Sequence, residues 1–175
     1  MRVMLASALF VAAGSLGCAN LPIQLPSGGG AGTGTTTTGT PAGSSPAVAA
    51  DIVRYTNDAR TRNGLPALRT SAKLMEAARI HAEQMAAAQR GEHTISGARY
   101  PTMQSRLDAV GYPYMQAAEN VAWNQAGAQQ AVASWMSSAG HRANILDAGL
   151  TEIGAAMARS SKGEPYWIQV FGRPR

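Results

Sequence analysis

The 175-residue chain has a single cysteine, two phenylalanines and three histidines, and between Arg2 and Asp51 it has no charged residue. A lone cysteine excludes an internal disulfide, so the stability of any folded part must come from packing. No Gly-x-Ser-x-Gly elbow occurs, and Cys18 lies ahead of the folded region, so no convincing nucleophile for acyl transfer is present. The N-terminal apolar run is shorter than the roughly 20 residues that cross a bilayer, which argues against a permanent membrane helix. Lysine stands only at 73 and 162, and the net charge of +5 comes from scattered arginines. Such scatter reads as a solvated, mildly cationic surface drawn to anionic envelope polymers, and not as a nucleic-acid footprint. Neither a short metal-ligand motif nor an internal repeat is visible.

What is present divides the chain in three. Residues 1–18 start with Arg2, continue through an apolar run from Val3 to Ala13, and close on Gly14-Ser15-Leu16-Gly17-Cys18. This is the pattern of a secretory signal peptide and implies export. Cys18 resembles the lipid-modified cysteine of bacterial lipoproteins, although Ser15 stands where such sites carry Leu; cleavage after Ala19 by an ordinary signal peptidase is the alternative. Residues 19–45 are Gly, Thr, Ser and Pro with almost nothing to bury, the composition of a disordered tether. Its ends would lie on the order of 30 Å apart. Residues 46–175 carry nearly all charge and all three Trp, and are long enough for one core.

Within 46–175 the apolar period is helical over Pro46 to Arg62, about Ser71 to Gln89, Thr102 to Val110, and Ala126 to Ser138. Gly91 and Gly140 are expected to end the second and fourth of these helices. The period then changes to alternation at Thr151 to Met157 and Pro165 to Phe171, separated by the turn Ser160 to Gly163, and Val121-Ala122-Trp123 supplies a further strand. The last strand is apolar on both faces, so it needs cover on both. The fold class expected is α+β, a small antiparallel sheet sandwiched between helices.

Three histidines and one acid stand out. His81 lies on the apolar stripe of the second helix, where a packed, hydrogen-bonded core histidine is sufficient explanation. His93, in Gly91-Glu92-His93-Thr94, and His141, after Gly140, fall at loops or element ends, where function concentrates. Glu119 enters an apolar strand, and an unpaired carboxylate there would cost several kcal/mol or be driven neutral, so it needs a partner such as histidine. Two imidazoles and a carboxylate could hold a divalent ion such as zinc with a position left for water, or could form a hydrogen-bonded cluster pinning loops to the sheet.

Asn57, Arg60, Gly64-Leu65, His81-Ala82, Met85-Ala86, His93, Gly111-Tyr112, Glu119-Asn120-Val121-Ala122, Trp135, Gly140 to Leu146, Glu152-Ile153-Gly154 and Tyr166-Trp167 together resemble the bacterial branch of the CAP superfamily, the SCP domain. The resemblance runs over about residues 48 to 172. It implies an α-β-α sandwich with a central cleft that usually carries two His and two Glu. By motif, His93 and His141 look like the histidines and Glu119 like one of the acids. Ala118 replaces the Gly that usually precedes that Glu, and Ser138 stands where the second Glu is expected, so the implied cleft is reduced. Some relatives bind zinc or other divalent ions, and others bind sterols, fatty acids or partner proteins; most have no established catalysis.

Besides a structural part of the envelope in which the cleft residues only brace the fold, two functions compete on these residues. One is an exported, membrane-tethered binding module whose cleft, formed by His93, Glu119 and His141, takes a ligand, protein or lipid of the cell envelope, with or without a metal. The other is a metal-assisted hydrolase, with His93 and His141 as ligands and Glu119 as ligand or general base activating a water. Ser96, Ser137 and Ser138 are conceivable nucleophiles but have the positions of ordinary helix caps or turns. Arg142 is either a surface residue or a binder of an acidic group.

Overall fold

The computed structural model describes residues 2–5 and 45–175. Most of the signal segment, Cys18 and the tether lie outside the described residues. Five helices, α1 (Pro46–Arg62), α2 (Ala72–Ala88), α3 (Met103–Ala109), α4 (Ala128–Ser137) and α5 (Ala139–Ile145), surround a sheet of β1 (Arg2–Leu5), β2 (Arg69–Thr70), β3 (Tyr114–Trp123), β4 (Glu152–Arg159) and β5 (Pro165–Pro174). The strand order is β1-β3-β5-β4-β2. The expected antiparallel sheet is its centre, with β5 antiparallel to both β3 and β4. Short parallel strands flank that centre, β1 on β3 and β2 on β4, so the sheet is mixed; β1 lies inside the expected signal segment, and removal of that segment on export would leave the four strands β2 to β5.

Alternation along the strands sorts the side chains into two cores. Ala117 and Val121 of β3 and Tyr166, Ile168 and Val170 of β5 pack against α2 and α3 through Leu74, Ala78, Met85 and Leu107. Ala118 and Ala122 of β3 and Trp167 and Phe171 of β5 face α1, α4 and α5 through Ile52, Val132, Trp135 and Ile145. The final strand is therefore covered on both sides, as its two apolar faces demand. Gly154 lets α2 approach β4: a Cβ there would meet the Leu74 carbonyl carbon at 2.0 Å.

Local chemistry explains where the helices stop. α1 ends where Asn63 N–H bonds back to Arg60 O and Gly64 takes φ of 76°. α2 ends at Gln89, in the left-handed conformation at φ of 53°, and not at Gly91. Gly91 instead lies under the Trp123 ring, with its Cβ position 2.2 Å from Cε3 of the indole. Nor does Gly140 break the fourth helix: the extended Ser138 separates α4 from α5, and Gly140 and His141 are inside α5. A glycine in a helix is a cost and not a stop, and here tertiary packing overrides it.

Candidate functional site

The site grows from Glu119. It shares the β3 face of Ala117 and Val121, so its carboxylate enters the layer between the sheet and α2 and α3, with no exposed surface. Three side chains from three separate elements meet it there. His93, in the loop joining α2 to α3, approaches Oε1 with Nδ1 at 3.0 Å. Arg106 of α3 donates from Nη2 to Oε2 at 2.9 Å. His81 of α2 brings Nε2 to 3.5 Å from Oε1, close enough for electrostatic attraction but without a hydrogen bond.

Burial alone would raise the pKa of Glu119 by disfavouring its charged form. The attraction of His81, which is protonated in the acid range where Glu119 titrates, the hydrogen bond with His93 and the Arg106 guanidinium outweigh it and hold the carboxyl at about 2. An ionised carboxylate only accepts hydrogen bonds, so Nδ1 of His93 carries the hydrogen that joins them. For His81, burial dominates and lowers the pKa to about 4, opposed by Glu119 and assisted by Arg106. It is therefore neutral at pH 7.

Arg106 holds more than the acid. Its Nη1 donates to the carbonyls of Tyr100 and Pro101, and its Nη2 also to that of His93. The guanidinium, 1% exposed, thus ties the α2–α3 loop to the carboxylate and fixes where His93 stands. α3 is aimed by a capping box in which Thr102 and Ser105 satisfy each other's backbone donors. His93 alone of the four reaches solvent, with 13% of its side chain exposed.

His141 is tied to the strand through its main chain. Its carbonyl accepts from Nδ2 of Asn120, a residue that points to the opposite face of β3 from Glu119. Asn120 there joins a buried polar chain: Asn144 donates to Asn120 Oδ1, Asn120 to Gln169 Oε1, and Gln169 to Thr56. Asn144 also donates to the main-chain carbonyl of Glu119 at 3.3 Å. So the structure joins His93 to the Glu119 carboxylate directly, whereas the helix bearing His141 is pinned to the same strand from behind. Among the described residues no three His, Cys, Asp or Glu side chains are arranged to hold a metal ion, so His93, Glu119 and His141 do not form such a group. The donor chemistry agrees, because a buried guanidinium already occupies one oxygen of the only carboxylate in the cluster.

Sequence reasoning missed two members. His81 is buried and packed as expected, and it also belongs to the cluster. Arg106 departs from the solvated surface that the scattered arginines suggest: it and Arg60 are both buried, the latter capping the carbonyls of Pro66, Ile145 and Asp147. The signal was there: Met103, Arg106, Leu107 and Val110 share one helical stripe, and Arg60 follows Ile52, Thr56 and Ala59 on another. An open groove of about 510 Å³ beside α2 and α3, lined by Lys73, Glu76, Arg79 and Tyr100, includes none of the cluster.

The profile of the cysteine-rich secretory protein family, CAP, matches residues 53–171. Over 123 residues the chain is 33% identical to the protein YkwD of Bacillus subtilis (strain 168), covering 69% of this chain and 45% of that protein. It is 31% identical over 120 residues to the Bacillus subtilis membrane protein YlbC, covering 69% of this chain and 33% of the other. An extracellular protein containing a SCP domain from Bacillus anthracis str. Ames superposes with a TM-score of 0.65 at 25% identity, over 73% of this chain and 40% of that one. The chain thus spans less than half the length of each of these proteins.

Proposed function

The chain belongs to the cysteine-rich secretory protein family, and we propose that it is an exported, membrane-tethered recognition domain whose cleft at His93 binds a ligand or partner of the cell envelope without catalysis of its own. The observation that carries this reading is the state of Glu119: buried, ionised, and with both oxygens engaged by His93 and Arg106. A carboxylate so engaged orients an imidazole and braces a loop, and it has little capacity left to take a proton from a substrate. His93, held by Nδ1 and 13% exposed, is the one member of the cluster that reaches solvent, and so the point at which a ligand would meet it. Among the described residues no helix is long and apolar enough to cross a membrane. Attachment in this reading runs through Cys18 and the tether.

The metal-assisted hydrolase is the other reading of the same residues. It asks Glu119 to share a divalent ion with His93 and His141, an arrangement that the position of Arg106 opposes. The carboxylate–imidazole pair is the feature in its favour, since a base needs an orienting partner.

Purified full-length chain, labelled on its histidine rings, tests the proposal by NMR. Anionic lipid vesicles and peptidoglycan fragments are the probes, with peptide, ester and glycan substrates assayed in parallel. Selective shifts of the His93 ring with one of the two probes, and no turnover, are the expected results. Sustained turnover that disappears in His93→Ala or Glu119→Ala would overturn it. For the anchor, Cys18→Ser is expected to move the protein from the detergent phase to the aqueous phase.

A further inference from the structure

Family resemblance implies a cleft that can take a divalent cation, and the residues present here are unsuited to one. Glu119 is the only acid in the cluster, and its Oε2 accepts from Arg106 at 2.9 Å. The guanidinium cannot turn away, because it is buried and also donates to the carbonyls of His93, Tyr100 and Pro101. Any ion on Oε1 would lie within a few ångströms of that fixed positive charge, out of reach of solvent screening. The ring nitrogen of His93 nearest to Oε1 carries a hydrogen and offers no lone pair there. Charge balance is already met, one carboxylate against one guanidinium.

We propose that Arg106 is the resident cation of this buried cluster, occupying the role a divalent ion plays in metal-binding relatives and making the site selective against such ions. An internal guanidinium differs from a metal in being permanent: it cannot be stripped by chelators or lost on acidification. The cleft would therefore keep its shape in an exported setting whatever the supply of metal. This inference concerns what neutralises Glu119 and not what the cleft binds, so it stands or falls apart from the recognition role.

The test uses the full chain with zinc alone as probe. Wild type is incubated with excess zinc, gel-filtered and analysed for metal, and is melted with and without zinc; Arg106→Gln, Arg106→Lys and the double variant Arg106→Gln/His93→Ala are treated alike. The expected results are little zinc and an unchanged Tm for wild type and Arg106→Lys. Arg106→Gln should gain zinc affinity on the order of 10- to 100-fold, with a rise in Tm that the double variant lacks. Should Arg106→Gln be unfolded, zinc is expected to restore its helical circular dichroism. The proposal is overturned if wild type retains about one equivalent of zinc in a manner dependent on His93. It is equally overturned if Arg106→Gln neither gains zinc when folded nor recovers its fold with zinc.

Discussion

Glu119 is an acid with no exposed surface, kept charged by one guanidinium and one hydrogen-bonding imidazole. Removing its charge leaves Arg106 buried without a counter-charge, which typically costs about 3–5 kcal/mol. Glu119→Gln should lose stability of that order in urea melts, and Glu119→Gln/Arg106→Met should recover part of it. If the single variant loses under about 1 kcal/mol, the pair does not brace the fold. His81 contributes a pH dependence of definite sign. Its folded pKa, about 4, lies below the ordinary histidine value of 6.5, so between those values the unfolded chain binds more protons than the folded one. Stability is therefore full above about pH 6.5, falls by about 3 kcal/mol as the pH drops to 4, and loses no more through this residue below that. Glu119 continues the loss in the same direction from the usual carboxyl range down toward about 2. Thermal melts between pH 4 and 7 check this, and His81→Gln should flatten the slope.

At the scale of elements, two backbone positions decide more than their side chains do. Gln89 closes α2 with φ of 53°, a conformation that glycine adopts at no steric cost. Gln89→Gly should raise stability by about 0.5–1 kcal/mol, measured by denaturant midpoint, despite the greater freedom of glycine in the unfolded chain. Gly154→Ala acts in the opposite direction. The new methyl would strike the Leu74 main chain, which cannot move without shifting α2, and α2 carries His81. A loss of about 2–3 kcal/mol is expected in the same assay, together with a displaced His81 ring resonance. A variant as stable as wild type would show that α2 slides freely on β4.

At the scale of the whole molecule, both cores among the described residues are built from residues between Val48 and Phe171, and folding is expected to proceed without the segment before Ser45. A chain starting at Ser45 is expected to unfold in one cooperative step with Tm within a few degrees of the full chain. Its β3 amides facing the position of β1 should exchange faster, since β1 pairs with Gln116 to Glu119. A broad, non-cooperative transition would mean that the N-terminal strand is part of the core. Between the two layers, Asn144 and Asn120 fasten α5 to β3 from behind while Arg106 fastens the α2–α3 loop from in front. The acid is thus clamped through both its main chain and its side chain.

Most of the architecture was legible from periodicity. Helix α1 falls where the apolar stripe of Pro46 to Arg62 places it, and the two-faced strand at Pro165 forces helices on either side of the sheet. These follow from sequence alone because burial of a helical stripe or a strand face is a local, repeating demand that any compact arrangement must meet. Glu119 was legible for the same reason, as an acid in an apolar strand that had to find a partner. Which partner it found was not. That choice depended on alternation along β3 sending the carboxylate toward α2 and α3 and Asn120 toward α5, and on α3 turning Arg106 inward. His81, Arg106 and His141 are chemically plausible companions in one dimension, but only packing in three dimensions brings charges within a few ångströms and shields them from water, where their mutual attraction becomes strong enough to define a site.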